Sequence, residues 1–445
     1  MRLAALTALL SVLVACDEPP ADPFAHGPHR SHGAHDAHAS AAGVQAPSSD
    51  DGLAADVGVS PNGPVRSLSA AVRLVRSGGR IMVHPGTYRE HGIVVDKPVE
   101  IVGHDYPTID AEGAGQILTV VADDVTIRGL RLTHVGTSYV DDRAAIKVSD
   151  ATGCIIDDNR VDDAFFGIYL ANVTRCRISG NVVRGVPRDE TSSGNGIHLW
   201  TSRDVDIERN QVSGHRDGIY FEFVHDTRID GNLSEGNLRY GLHFMYSDGC
   251  RYTANTFRRN GSGVAVMFTK RVEMLGNTFE NNWGPASYGL LLKEIGDSRL
   301  ENNTFAGNTT GLLADGANRL IATHNKFLDN GWAVKLDAST LEARFTANDF
   351  LGNTFNVATN SREHTSSFSG NYWDDYAGYD LDHDGVGDVP FHPVRLFSLV
   401  VQQHPPAIAL LRGAFVSLLD AAERALPSLT PETLVDSRPL MRRTS

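Results

Sequence analysis

The chain has 445 residues, 41% of them hydrophobic and 21% charged, which is enough for a sizeable core and too apolar for a disordered protein. With 40 Lys and Arg against 54 Asp and Glu the formal charge is −14, which argues against a nucleic-acid partner held by phosphate pairing. Four cysteines are too few for a disulfide scaffold, while 43 glycines and an 8% aromatic share point to many turns and small repeated units.

An apolar run from Leu3 to Val14 opens the chain. It is about a dozen residues long, too short to cross a hydrocarbon core of about 30 Å as a helix, and reads as a cleaved signal. Leu13-Val14-Ala15-Cys16 resembles the bacterial lipobox, so residues 1–16 are read as a lipoprotein signal with Cys16 as the lipidation site. Asp17 resembles the inner-membrane retention signal. No other stretch looks like a membrane helix, and the expected location is the periplasm, lipid-anchored to the inner membrane. Residues 17–60, rich in Ala, Pro, Gly, Ser and Asp, are expected to form a flexible tether. Within it His26, His29, His32, His35 and His38 recur every three residues, and imidazoles so dense in a mobile chain can wrap copper, zinc or nickel, among which the spacing does not choose. A polar linker with no metal role is the alternative.

Residues Ser67 to Ser77 have the pattern of an amphipathic helix ended by Gly78-Gly79, and Ile81 to Tyr88 and Ile93 to Val102 read as first, irregular coils. Together they make the cap that a solenoid needs over its open strand edges. Beyond them the chain repeats. Asparagines fall at Asn159, Asn181, Asn210, Asn232, Asn255, Asn277, Asn303, Asn325, Asn348 and Asn371, at intervals of 22, 29, 22, 23, 22, 26, 22, 23 and 23. A second ladder, Gly167, Gly196, Gly218, Gly241, Gly263, Gly289 and Gly311, keeps step with it and opens phrases that alternate with period two. Alternation marks short strands with one face inward, and Asn or Gly between them supplies turns at low steric cost. The expected fold is all-β: a right-handed, single-stranded parallel β-helix of about 22-residue coils over residues 61–375, with an N-terminal helical cap and a C-terminal helical extension.

Cys154, Cys176 and Cys250 each stand five residues before a repeat asparagine, where other coils carry Val205, Thr227, Val272 and Leu320, so the position is expected to face inward. Buried free thiols are the favoured reading of Cys154 and Cys176, with a disulfide between adjacent coils as the alternative. After each ladder glycine the first and third residues are expected inward and the second and fourth outward. The second positions are Tyr169, His198, Tyr220, His243, Ala265 and Leu291; the fourth are Ala171, Trp200, Glu222, Met245, Met267 and Lys293. The candidate site is the strip His198, Trp200, Tyr220, Glu222, His243, Met245 and Met267. Thioether plus imidazole prefers monovalent copper, and an exposed Met-rich aromatic strip equally suits protein docking. The longer coils put loops near Val186 to Asn195 and Trp283 to Tyr288, which would fence the strip at its two ends.

Residues 376–445 are read as an Asp-rich loop followed by an amphipathic helix and tail. Asp380, Asp382, Asp384 and Asp388 resemble the front half of an oxygen-only calcium loop, although Phe391 stands where a full EF-hand needs glutamate. Calcium there would be structural. After Pro405-Pro406 an apolar stripe including Leu411, Phe415, Leu418 and Leu419 is expected to form a helix that caps the solenoid or docks on a partner, and the tail to Ser445 is expected to be extended.

A β-helix of the pectin-cleaving kind is the rival reading. Such enzymes need clustered acids or calcium with a basic acceptor in a groove, and Glu222 is the one carboxylate in the strip; a passive docking module is the other alternative. The phrases Gly194-Asn-Gly-Ile-His-Leu-Trp200, Gly214-His-Arg-Asp-Gly-Ile-Tyr-Phe-Glu-Phe223, Leu238-Arg-Tyr-Gly-Leu-His-Phe-Met-Tyr246 and Gly263-Val-Ala-Val-Met-Phe268 resemble the NosD family, β-helical (CASH-domain) accessory proteins of the periplasm. Gly370-Asn-Tyr-Trp-Asp-Asp375, the aspartate loop and the Leu429 to Met441 tail resemble it too, whereas the lipobox and histidine tract depart from it. The resemblance implies a non-enzymatic role: work with the membrane subunit of an inner-membrane ABC transporter and a copper chaperone to assemble the copper-sulfur centres of nitrous oxide reductase. It also implies a transporter-docking role for the C-terminal helix.

Overall fold

The computed structural model describes residues 52–444 except 139–140, 192, 362, 412, 414–415, 417 and 420–433. The signal with Cys16 and the five-histidine tract lie outside the described residues. From Ala54 onward the chain winds into a right-handed parallel solenoid. Three sheets run along it. Sheet A has 14 strands, from Ala54–Val59 to Ser367–Ser369; sheet B has 13, from Thr87–Arg89 to Tyr372–Trp373; sheet C has 12, from Ile93–Val95 to Phe355–Thr359.

Most strands of sheets A and B are three residues long, with the middle side chain buried and its neighbours turned outward. Period-two alternation therefore sets the inward column, and the column packs as a stack. Rings of Phe279, Phe305, Phe327, Phe350 and Trp373 lie face to face, with successive centroids between 4.1 and 4.8 Å apart.

The repeat asparagines do not make the turns. The residue before each adopts the left-handed conformation, as in Gly231 (φ 61°), Ala254 (φ 53°) and Gly276 (φ 63°), while the asparagine side chain is buried. Both the backbone N–H and the Nδ2 of Asn232 donate to Asn255 Oδ1 at 2.9 Å, and Nδ2 also donates to the Ile207 carbonyl at 2.8 Å. The pattern repeats from Asn159 to Asn371. A second ladder of this kind, Asn237, Asn260, Asn282, Asn308, Asn330 and Asn353, holds the next corner. Amides serve here because each offers donors and an acceptor to backbone that no strand pairing satisfies.

The N-terminal helix is shorter than expected, Leu68–Leu74, with Ser67 Oγ accepting from Ala70 N at 3.2 Å. Val75 already has extended backbone, and Gly78-Gly79 lies inside the strand Val75–Val83. That strand pairs with Ala54–Val59, a stretch that composition assigns to the tether. Pairing of β-branched residues along a sheet edge outweighs the local helical pattern there.

Cys154 and Cys176 form a disulfide, with Cα atoms 4.5 Å apart, against the expectation of free thiols. Parallel register one coil apart brings the two within bridging distance. Cys250 is a buried free thiol, its pKa pushed up to about 12 by burial.

The C-terminal region also differs from expectation. An α-helix spans Leu396–Gln403, ahead of the segment where one was expected, and Pro405–Leu410 forms a 3-10 turn. Val416, Leu418 and Leu419 of the expected helix are helical, and most of the rest of it lies outside the described residues. Phe397 and Val401 pack against Trp332 and Phe355 on the last coils. The tail, expected to be extended, is also paired: Asp436 and Leu440 bridge to Phe368 and Tyr372, and, on their other side, to Phe391 and Val386. It thus closes the end of the solenoid.

Candidate functional site

In sheet C, Ile197, Leu199, Ile219, Phe221, Leu242 and Phe244 are buried, as the alternation requires. Parallel pairing sets Tyr169, His198, Tyr220, His243, Ala265 and Leu291 in one outer column. The same register sets Ala171, Trp200, Glu222, Met245, Met267 and Lys293 in a second. Residues remote in sequence therefore share one flank, with Met245 directly beside Met267.

The flank is not the open face expected. Tyr169, His243 and Met267 are buried; His198, Tyr220, Glu222 and Met245 are half-buried; Trp200 is exposed. A roof covers the first column, built from the residues just before the ladder glycines: Phe166, Asn195, Asp217, Tyr240, Ser262 and Tyr288, all buried. Phe166 packs edge-on against Tyr169 and His198, at 5.4 and 5.3 Å. Tyr240 lies 4.7 Å from His243, and its hydroxyl meets that of Tyr288 at 3.3 Å. The two long coils supply Asn195 and Tyr288, so they roof the strip where fences were expected. A signal for the roof is present in the sequence, since polar or aromatic residues precede six successive ladder glycines.

Within the column the rings stack: Tyr169 on His198 at 4.5 Å, His198 on Tyr220 at 4.7 Å, then Tyr220 edge-on to His243 at 5.0 Å. Burial, aided by Arg216, lowers His198 to about 3. Burial also lowers His243, against the opposing pull of Asp217. Both imidazoles are neutral at pH 7, the form that donates a lone pair. Burial and the nearby Glu222 carboxylate push Tyr220 upward, so it stays a phenol. Its hydroxyl donates to Glu222 Oε2 at 3.3 Å and lies 4.0 Å from Met245 Sδ. Asp217 is fully buried; burial opposes its ionisation, but His243, Arg216 and Arg239 outweigh that and hold it below the usual carboxylate range.

Beside the roofed column runs an exposed aromatic edge, made by Trp200 (44%) of the second column with Phe223 (44%), Tyr246 (42%) and Phe268 (39%). Phe223, Tyr246 and Phe268 take the left-handed backbone, at φ 56°, 50° and 55°. That is uncommon for bulky residues and costs roughly 1–3 kcal/mol each. Their rings stack at 5.3 and 5.2 Å, 14° from parallel. These three stand one residue beyond the outward positions that alternation picks out. Their signal in the sequence is the aromatic residue directly after Glu222, Met245 and Met267.

Of the remaining candidates, Asp380, Asp382 and Asp384 bring ligand oxygens within 4.8 Å of one another. Asp388 instead accepts from Leu381 N at 2.7 Å. Leu411 and Leu419 are half-buried against the Phe397 and Val401 cluster, Leu418 is 66% exposed, and Phe415 lies outside the described residues. Among the described residues no helix is long and apolar enough to cross a membrane.

Fold and site together define a right-handed β-solenoid that carries a roofed strip of imidazole, phenol and thioether groups on one sheet. A family model described as "Periplasmic copper-binding protein (NosD)" matches residues 184–378, a span that includes the whole strip from His198 to Met267. A model for the right-handed β-helix region matches residues 107–211. A Pseudomonas aeruginosa protein named "Probable ABC transporter binding protein NosD" is 32% identical over 388 residues, 82% of this chain and 88% of that one. A Stutzerimonas stutzeri protein of the same name is 27% identical over 368 residues, 78% of this chain and 84% of that one. The chain belongs to the NosD family. Among solved structures, the Dettilon tailspike protein superposes with a TM-score of 0.51 at 11% identity, covering 64% of this chain and 62% of that one, a likeness of fold alone.

Proposed function

We propose that this chain is a periplasmic accessory protein that works with an inner-membrane ABC transporter and a copper chaperone to load the copper-sulfur centres of nitrous oxide reductase. Copper is cargo in this reading. The observation that carries it is the register of Glu222, Met245 and Met267 on one flank, within the span matched by the copper-binding family model. Two thioethers on adjacent rungs, with a neutral imidazole beside them, suit a monovalent soft ion held at low coordination number. The exposed edge of Trp200, Phe223, Tyr246 and Phe268 beside this column suits the face of a protein that delivers or receives the ion. The lipobox at Cys16 would hold the chain at the inner membrane, and the C-terminal segment around Leu418 would meet the transporter, whose partnership is named for the relatives.

The test is complementation of a strain lacking this gene with the Met245→Ala/Met267→Ala double variant, followed by metal analysis of the purified reductase. Copper content at the level of the deletion strain is expected. Full copper content with the variant would sink metal handling at the strip, and full content in the deletion strain itself would sink the maturation role.

A further inference from the structure

The two imidazoles of the strip differ in what their neighbours leave free. Asn195 Oδ1 accepts from Arg216 Nη2 at 3.2 Å, which fixes the amide so that its Nδ2 faces His198 Nδ1 at 3.0 Å. An amide nitrogen donates, so His198 Nδ1 is the lone pair and its Nε2 carries the proton. Both faces of that ring are covered as well, by Tyr169 and Tyr220. For His198 to bind a metal it would have to give up its Asn195 bond or change tautomer inside a closed stack.

His243 is arranged the other way. Its Nδ1 lies 3.7 Å from Asp217 Oδ2 and makes no closer polar contact among the described residues. A ring nitrogen facing a buried carboxylate carries the proton, because a lone pair there would meet negative charge in a medium that screens little. The lone pair then sits on Nε2. The aromatic stack ends at this ring, since the next residue of the column is Ala265. Met245 stands on the same strand and Met267 on the next rung. Asp217 is itself held in place, by Arg216 Nε at 3.4 Å and the Tyr240 N–H at 3.3 Å.

We infer that His243, with Met245 and Met267, forms the soft-cation donor set of the strip, that His198 is a stacking spacer and not a donor, and that Asp217 is a positioning residue which fixes the free nitrogen of His243. This rests on the copper reading proposed above. A carboxylate behind a metal-binding imidazole orients the ring and raises its basicity, and its loss costs about 10- to 100-fold in affinity.

The experiment uses the full chain with His26, His29, His32, His35 and His38 changed to alanine, so that the tract does not compete for the ion. Monovalent copper is titrated anaerobically against a chromogenic chelator, and long-range proton–nitrogen spectra of the metal-free protein report each tautomer. The unsubstituted strip is expected to show His243 protonated at Nδ1 and His198 at Nε2; the reverse pattern overturns the assignment without any variant having to fold. His243→Gln is expected to weaken copper binding by more than about tenfold, while His198→Phe, which keeps the stacked ring, leaves it unchanged. Asp217→Asn is expected to shift the His243 tautomer and weaken binding by about tenfold; an unchanged tautomer and affinity overturn its positioning role. If His198→Phe loses as much as His243→Gln, the donor assignment fails while copper binding at the strip stands. If His243→Gln and Met245→Ala/Met267→Ala both bind like the parent, the strip is not the copper site and the underlying reading fails with the inference.

Discussion

Asp436 is a carboxylate in a place where the coils before it use an amide. Its Oδ2 accepts from the Asn371 N–H at 2.9 Å, from Asn371 Nδ2 at 2.9 Å and from Trp373 Nε1 at 3.1 Å. Its Oδ1 accepts from the N–H groups of Gly370 at 3.0 Å and Arg438 at 3.1 Å. Every one of these groups donates, and no rung follows to accept a proton from the group that ends the ladder. An acceptor-only side chain satisfies that geometry, whereas an amide would turn an N–H toward an N–H. Asp436→Asn, conservative in shape, is therefore expected to destabilise the fold by about 1–3 kcal/mol, read as a lower urea midpoint with an unchanged slope. An unchanged midpoint would mean that the end of the ladder is not held by charge.

At the scale of single elements the sequence is informative where one periodicity acts alone and misleading where two compete. The period-two alternation places Ile197, Leu199, Phe221 and Phe244 inward, and the Asn and Gly spacing places His198 beside Tyr220 and Met245 beside Met267. The roof is beyond its reach. Whether an outward side chain meets solvent depends on Asp217 and Tyr240 folding over it, and such contacts leave no period in the chain. Turns are easily assigned to the asparagines because glycine often precedes them and Asn is itself a common turn residue. Ala254 and Arg209 at the left-handed position show that the corner is imposed by the coil. The Cys154–Cys176 bridge is open in sequence because spacing alone does not give Cα separation. It closes a 22-residue separation, and removing it with Cys154→Ala/Cys176→Ala is expected to cost about 3 kcal/mol by loop entropy, seen as a lower thermal midpoint. Peptide mapping without reductant should recover the linked pair from the parent chain; recovery of free thiols would contradict the structure. The aspartate loop is a separate element with its own test. Asp380, Asp382 and Asp384 converge while Asp388 is turned to the Leu381 N–H, so calcium, if it binds, takes the first three with backbone or solvent oxygens. Calcium is expected to raise the thermal midpoint of the parent chain and to have no effect on Asp380→Asn/Asp382→Asn; equal response in both would remove the loop as the site.

For the whole solenoid, stability is close to a chain of neighbour interfaces, since strand pairing joins each coil to the one before and the one after and only a few side chains, such as Tyr240 with Tyr288, reach two rungs. Such a stack unravels from whichever end is least covered. At its N-terminal side the helix Leu68–Leu74 buries Leu68, Ala71 and Val72 over the first coil. At the other side the cover is the tail, through Asp436, Leu440 and the buried Leu434, assisted by Phe397 and Val401. A chain ending just before Leu434 keeps the helix Leu396–Gln403 but loses the tail, and leaves the donors of Gly370, Asn371 and Trp373 without their acceptor. Its last strands, Ser367–Ser369 and Tyr372–Trp373, become open edges able to pair with another chain. The expected outcome has two parts: a thermal midpoint below that of Asp436→Asn, and light scattering that rises with protein concentration in the truncated chain but not in Asp436→Asn. Because fraying starts at these last strands, several coils beyond the rung of His243, the copper binding proposed for the strip is expected to be unchanged in the truncated chain well below its melting transition. Loss of strip binding at low temperature, with sheet content retained by circular dichroism, would mean that the end of the solenoid and the strip are coupled through the stack, and that nearest-neighbour independence does not describe this protein.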